Sequence, residues 1–143
     1  MSKIRFNYAD RQLHFSPKSK LKALVNEVFI QEKKPMKCIQ FVFCSDEFLL
    51  KVNQDFLQHD YYTDIITFPL SEKEEPIEAE IYISLERVRQ NAKQLGVVFE
   101  HELVRVLAHG ALHLCGYKDK SKSEIEKMRE RENFYLERFL CST

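Results

Sequence analysis

The sequence predicts one α+β domain, in which a small mixed β-sheet packs against helices. Several segments carry apolar residues at helical spacing, and shorter apolar or alternating runs between them are typical of strands. Because these segments do not follow a strict βαβ alternation, α+β is the favoured class. A chain of 143 residues can bury one substantial core, and no repeat, linker or low-complexity segment divides it. We therefore expect a single domain over residues 1–143.

Strand-like segments are recognised by alternation or by a high content of β-branched and aromatic residues. Five are predicted: Lys3–Tyr8, Gln12–Phe15, Cys38–Cys44, Ile65–Phe68 and Ala79–Ser84. The acidic stretch Ser71–Glu78, between the last two of these, is predicted to be a solvated loop.

Helical segments are recognised by apolar residues that recur on one face. Five are predicted, within Ser16–Pro35, Ser45–Phe56, Ser84–Gly96, Leu103–Leu114 and Ile125–Leu140. Ser16, Ser45 and Ser84 are predicted N-caps, because a serine oxygen can accept a free backbone N–H, and Pro17 is predicted at the first helical position. Gly96 is predicted to end the third helix. The fourth helix has no obvious Ser, Thr, Asp or Asn cap at its start.

Composition favours a globular chain without pointing to one kind of partner. Lys plus Arg and Asp plus Glu number 22 each, so net charge makes no case for nucleic acid, although a local basic patch is not excluded. The four cysteines form no CxxC pair, the first residues show no secretory pattern, and the apolar runs are shorter than a membrane span. These features lead us to expect a cytoplasmic protein with reduced thiols and no contact with a membrane.

The most informative segment runs from His109 to Asp119 and reads HGALHLCGYKD. His109 and His113 are four residues apart, so on a helix they share one face and can reach one ion. Gly116 can adopt a positive φ that ends the helix sharply, and Asp119 can then return as a third ligand. Two imidazole nitrogens and one carboxylate oxygen leave an open position for water, as in catalytic zinc sites. The segment therefore predicts one divalent metal ion per chain, with zinc as the expected metal.

Each of these residues also has an ordinary structural explanation. Two histidines four residues apart often lie on a surface without a metal, and Asp119 could form an exposed ion pair with Lys118 or Lys120. The glycine and a third donor at a suitable offset favour the metal over that explanation. Cys115 is a ligand by type, but its position two residues after His113 favours a buried, inert thiol.

The spacing H-x3-H-x2-G-x2-D is zincin-like and matches the ligand pattern of metzincin proteases. Those enzymes carry a glutamate, their general base, directly after the first histidine, and this chain has Gly110 there. The missing base counts strongly against peptide hydrolysis.

With glycine at that position, the sequence resembles the YbeY family, bacterial endoribonucleases associated with the maturation of ribosomal RNA. The box HGALHLCGY, residues 109–117, carries the most specific part of the resemblance. Supporting matches are Val52-Asn53, the TDIITF segment at 63–68, the EIYIS segment at 80–84, Met128 and Glu132. The resemblance therefore covers about Val52 to Glu132, and the preceding part matches in general layout only.

The resemblance implies a metal-dependent endoribonuclease that acts on precursor ribosomal RNA, with ribosomal components as partners. One Zn²⁺ per chain, held by His109, His113 and Asp119, would polarise a phosphoryl oxygen and activate a water molecule. No side chain is assigned as general base, and no other cofactor is expected. Two alternatives stay open: a metal-dependent hydrolase of another substrate, such as a peptide, and a non-catalytic ribosome-assembly module with a structural metal.

The chain departs from the family pattern at two positions. The family's third ligand is usually a histidine, where this chain has Asp119, and the family usually has an arginine where this chain has Leu57. That arginine is an expected phosphate contact, so its loss leaves the RNA contacts of this region open. Four side chains are candidates to replace it, although solvated surface charge is the favoured interpretation of each: His59, Arg105, Lys118 and Lys120.

The remaining candidates are isolated. His14 and His101 have no partner motif, so we expect them to be structural or exposed. Thr63-Asp64 precedes a predicted strand, and turn chemistry is the favoured explanation for that pair.

Overall fold

The structure, a computed structural model, describes residues 3–14 and 17–141. Nine elements follow one another in these ranges: β1 (Lys3–Tyr8), α1 (Lys18–Gln31), β2 (Met36–Cys44), α2 (Asp46–Leu57), β3 (Ile65–Pro69), β4 (Ile77–Ser84), α3 (Leu85–Leu95), α4 (Phe99–Leu114) and α5 (Lys122–Cys141). A small sheet packed with helices was predicted, and the α+β class is confirmed. Among the described helices, none combines the length and apolar content that a bilayer crossing requires.

The four strands form one mixed sheet in the order β1-β2-β4-β3. β1 and β2 are parallel, because α1 carries the chain back to the starting edge, and β2 and β4 are also parallel. β3 and β4 are antiparallel neighbours, with Ile66 opposite Tyr82, so β3 lies at an edge of the sheet. β4 begins at Ile77, two residues before the predicted start, because the end of the acidic stretch already pairs with β2.

One face of the sheet packs against α1 and α4. Ile39, Phe41 and Phe43 of β2 and Ile81 and Ile83 of β4 are fully buried. They contact one continuous cluster of buried side chains to which both helices and α5 contribute. Alternation along a strand sends every second side chain to the same face, which is why these positions are two residues apart.

α4 is buried on most of its circumference, and it approaches the sheet closely at Gly110. A Cβ at Gly110 would lie 2.9 Å from Cδ1 of Ile65 and 3.2 Å from Cδ1 of Ile81. The glycine therefore allows the helix to lie against β3 and β4. Val98 precedes the helix without a side-chain cap, as its sequence indicated.

The segment between β1 and α1 differs from its prediction. Gln12–Phe15 was predicted to be a strand, but residues 12–14 form none, and Phe15 lies outside the described residues. Leu13 is only 2% exposed, so its apolar character reflects insertion into the core by an irregular segment. The predicted cap Ser16 also lies outside the described residues. Pro17 is the N-cap of α1 in extended conformation, one position before the predicted one.

Candidate metal centre

α4 presents His109 and His113 on the same face, one helical turn apart. Their ring centroids are 4.5 Å apart and the rings are nearly perpendicular, at 87°. After the helix, Gly116 adopts a φ of 106°, and the amide of Tyr117 donates to the carbonyl of Leu112 over 3.0 Å. This turn reverses the chain and leads it back to the two imidazole rings, as the glycine predicted.

The reversal brings Asp119 to both histidines. Its Oδ2 lies 3.4 Å from Nε2 of His109 and 3.4 Å from Nε2 of His113. One ligand atom from each residue lies within 4.8 Å of the other two, a spacing at which all three can hold one metal ion. The competing explanation for Asp119 was an ion pair with Lys118 or Lys120. In the part of the chain that the structure describes, its carboxylate lies against the two histidine rings instead.

The other nitrogen of each imidazole already has a partner. Nδ1 of His113 lies 3.0 Å from the carbonyl oxygen of Tyr117, and because a carbonyl only accepts, Nδ1 must carry the hydrogen. Nδ1 of His109 lies 2.6 Å from Oε2 of Glu132, an acceptor of the same kind when ionised. Partners of this type fix the ring and the tautomer of metal-ligating histidines.

The chemistry of the three converging atoms fits a cation. In the neutral histidines the Nε2 atoms carry lone pairs, and Asp119 adds a carboxylate oxygen, so three acceptors face one another without a hydrogen between them. Either a bound cation or a proton on a ring relieves this arrangement. Burial lowers the pKa of His109, but the hydrogen bond and charge of Glu132, with the charge of Asp119, outweigh burial and raise it above its usual value.

Glu132 connects α5 to this site and is itself held by arginine. Its side chain is 7% exposed, and it accepts from Nη2 of Arg105 over 3.1 Å. The same guanidinium donates to Glu102 over 3.3 Å. Arg105 was expected to be solvated surface charge, and that expectation is wrong, because α5 covers it and its side chain is only 16% exposed. It is therefore not a free phosphate contact.

A cavity of about 280 Å³ opens beside His109. Asp64 lines it together with Asp119, Glu102 and Glu132. Burial raises the pKa of Asp64 and of Glu102 from their ordinary values. Turn chemistry was the favoured explanation for Asp64, and its place at this cavity next to a candidate ligand was not anticipated.

The other sequence candidates lie away from the three ligand atoms. His14 is exposed, and His101 lies in the first turn of α4. His59 stacks on Tyr61, with ring centroids 5.1 Å apart. Cys115 is buried, as predicted, and burial raises its pKa to about 12, which favours the unreactive thiol form.

The fold and the site define a class: an α+β protein with three metal-ligand candidates on one helix and the turn after it. The sequence model of one protein family, Endoribonuclease YbeY, matches residues 5–140. The chain belongs to the Endoribonuclease YbeY family, as the box from His109 to Tyr117 indicated.

Individual relatives agree with the family match. A protein from Cytophaga hutchinsonii named Endoribonuclease YbeY is 46% identical over 133 residues, which cover 93% of each chain. A protein of the same name from Flavobacterium psychrophilum is 44% identical over 138 residues, 95% of this chain and 96% of the relative. The solution structure of TM1509 from Thermotoga maritima superposes with a TM-score of 0.68 at 28% identity, covering 94% of this chain and 88% of that one.

Proposed function

We propose that this chain is a metal-dependent endoribonuclease, a single domain over residues 1–143, that takes part in ribosomal RNA processing and ribosome maturation. Membership of the Endoribonuclease YbeY family supports the reaction and the class of substrate. The observation that carries the metal dependence is the convergence of two Nε2 atoms on one oxygen of Asp119, 3.4 Å from each. Precursor ribosomal RNA and ribosomal components are the proposed partners, in the cytoplasm.

The proposed ligands of one divalent ion are His109, His113 and Asp119, and zinc is the proposed metal. Two imidazole nitrogens suit zinc, and a carboxylate also accepts it. When bound, such an ion supplies Lewis acidity toward a phosphoryl oxygen and toward water. Three protein ligands leave a position open, which a catalytic site needs and a closed structural site lacks.

The protein itself fixes the orientation of the three ligand atoms before a metal ion binds. Glu132 and the carbonyl of Tyr117 keep each Nδ1 engaged, so both Nε2 lone pairs face the same point. The turn at Gly116 sets the return of Asp119 to that point. This preorganisation reduces the rearrangement that accompanies binding.

Gly110 supports RNA over peptide as the substrate. A side chain at this position would point toward Ile65 and Ile81 of the sheet, and the glycine itself has no carboxylate to act at the site. A peptide hydrolase of the zincin type needs a glutamate there as its base.

The proposal is tested by incubating the purified protein with precursor ribosomal RNA fragments and with casein. We expect discrete RNA cleavage that a chelator abolishes and zinc restores, with casein intact. His113→Ala should lose cleavage, whereas His101→Ala, a matched change on the same helix, should retain it. Chelator-sensitive casein cleavage without RNA cleavage would assign the site to peptides. Full RNA cleavage by His113→Ala would remove the proposed metal site from the reaction.

A further inference from the structure

Glu32 lies far from the candidate ligands in sequence. In the fold, a single residue, Tyr117, contacts both Glu32 and a candidate ligand, His113. It follows α1 as the C-cap, and its side chain is 11% exposed. Oε1 accepts from the hydroxyl of Tyr117 over 2.7 Å. Oε2 accepts from Arg131 over 2.7 Å and from the hydroxyl of Tyr135 over 2.5 Å. Three polar side chains, one from the turn after α4 and two from α5, therefore meet at one largely buried carboxylate.

Tyr117 joins this cluster to the metal centre. Its backbone oxygen accepts the Nδ1 hydrogen of His113 over 3.0 Å, while its hydroxyl donates to Glu32. Its amide donates to Leu112 over 3.0 Å, so backbone and side chain are both held. Tyr117 also stands two residues before Asp119, and its position affects the return of that carboxylate.

We propose that Glu32 is a positioning residue of the metal centre, which acts through the Tyr117 hydroxyl to hold the Tyr117 carbonyl against Nδ1 of His113. This inference rests on the proposed ligand set. With the carbonyl in place, His113 keeps its hydrogen on Nδ1 and presents the Nε2 lone pair to the ion. Without the anchor, the Tyr117 peptide is free to shift, and the other tautomer, with the hydrogen on Nε2, gains population.

The chain offers a matched control, because Glu32 accepts from two tyrosine hydroxyls and only one belongs to the turn that contacts His113. Tyr117→Phe removes the hydroxyl on the path to the metal centre. Tyr135→Phe removes the other hydroxyl from the same carboxylate and leaves Tyr117 bonded. A purely structural cluster responds to both substitutions through stability alone.

The test measures three properties of each variant: zinc affinity by competition with a chromophoric chelator, the ¹⁵N shifts of the His113 ring in the metal-free protein, and the thermal midpoint. Tyr117→Phe should weaken zinc binding about three- to tenfold, less than the roughly 10- to 100-fold typical of a direct partner of a ligand. It should also shift the His113 ring toward the Nε2–H tautomer. Tyr135→Phe should leave zinc affinity within about twofold and the tautomer unchanged, and Glu32→Gln should follow Tyr117→Phe.

Wild-type zinc affinity and tautomer in Tyr117→Phe would overturn the inference, and so would equal losses in both tyrosine variants. If Glu32→Gln does not fold, the comparison of Tyr117→Phe with Tyr135→Phe still tests the inference. His113→Ala separates this inference from the proposed function. If that variant still binds zinc with wild-type affinity, the ligand set itself is wrong. If it loses zinc while Tyr117→Phe does not, only the role of Glu32 is wrong.

Discussion

Glu132 of α5 lies 2.6 Å from Nδ1 of His109, 23 residues earlier in the chain. The carboxylate is 7% exposed and also accepts from Arg105, so its position is set by two helices at once. Packing of α5 against α4 is therefore connected directly to the orientation of a candidate metal ligand. Folding and metal binding should depend on each other through this contact.

Glu132→Gln should lower metal affinity, because the amide keeps the shape but loses the charge that favours the Nδ1–H tautomer of His109. We expect a loss of roughly 10- to 100-fold in zinc affinity, the range for direct partners of metal ligands. Isothermal titration calorimetry, with zinc added to the metal-free protein, measures this affinity. Glu130→Gln, an exposed change on the same helix, is the control. Equal affinities in the two variants would show that Glu132 does not support the site.

Metal content should follow the two histidines. Wild-type protein purified without chelator should carry about one metal ion per chain, the number that one set of three donors implies. His109→Ala and His113→Ala should be nearly empty by elemental analysis, with lower thermal midpoints, because a bound ion stabilises the folded state. His101→Ala, on the same helix, should stay loaded. Absence of metal from the wild-type protein would contradict the proposed site.

Asp119 should act as the third metal ligand and should also lower the net charge of the metal centre. With two neutral imidazoles and one carboxylate, a divalent ion retains a net charge of about +1, so it acidifies water less than a three-histidine zinc site, where the pKa is about 7. A carboxylate also favours manganese or magnesium more than imidazole does. Asp119→Ala should weaken metal binding sharply, and Asp119→His should restore zinc and move the activity profile to lower pH. Unchanged zinc affinity in Asp119→Ala would place the third ligand elsewhere.

Glu32 should make the metal-free protein sensitive to acid. Burial alone would raise its pKa, but hydrogen bonds from Tyr135, Arg131 and Tyr117 outweigh burial and hold the pKa below the usual 4.5. The ionised carboxylate therefore contributes stability that is fully present above the unfolded-state pKa, near 4.5, and is lost as pH falls through the lower folded-state pKa.

Urea unfolding of metal-free wild type and Glu32→Gln across pH 7 to 3 measures this contribution. Wild type should be the more stable at pH 7, and the difference should narrow below the usual pKa of 4.5. Glu126→Gln, an exposed change on α5, should show no such trend. A difference that stays constant over the whole range would argue against an ionised, hydrogen-bonded Glu32.

Gly110→Ala should reveal how closely α4 approaches the sheet. The new methyl would lie 2.9 Å from Cδ1 of Ile65, and crowding of this kind costs about 1–3 kcal/mol, against about 1 kcal/mol gained in helix propensity. Ile65→Val removes that carbon, so Gly110→Ala should destabilise the Ile65→Val background less than the wild type. Urea unfolding of the four proteins gives the coupling free energy. Identical losses in both backgrounds would contradict the close contact.

Much of the fold could be predicted because it depends on local patterns. The hydroxyl oxygens of Ser45 and Ser84 cap their helices by accepting from the backbone N–H groups of Phe48 and Arg87, as serine before a run of apolar residues at helical spacing indicates. The short segment Gln12–Phe15 was misassigned because alternation does not show whether a strand has a neighbour to pair with. In the fold, β1 pairs in parallel with β2, and residues 12–14 form no strand, although Leu13 inserts into the core.

The candidate site also has a part that local sequence predicts and a part that it does not. His109, His113 and Asp119 lie within eleven residues of sequence, so helical spacing and one glycine were enough to predict that they converge. Glu132 matched the family pattern, but its contact depends on how α5 packs, and periodicity gives no docking angle between helices. The burial of Arg105 escaped prediction for the same reason, since only the covering helix distinguishes it from a solvated arginine.

A crystal structure of the zinc-loaded protein, with anomalous scattering recorded on both sides of the zinc edge, tests the central claim most directly. We expect one zinc peak at about 2.0–2.2 Å from Nε2 of His109, Nε2 of His113 and a carboxylate oxygen of Asp119. The remaining position should open toward the cavity that Asp64 lines. A peak bonded to other residues, or a fourth protein ligand that closes the shell, would contradict the proposed catalytic metal centre.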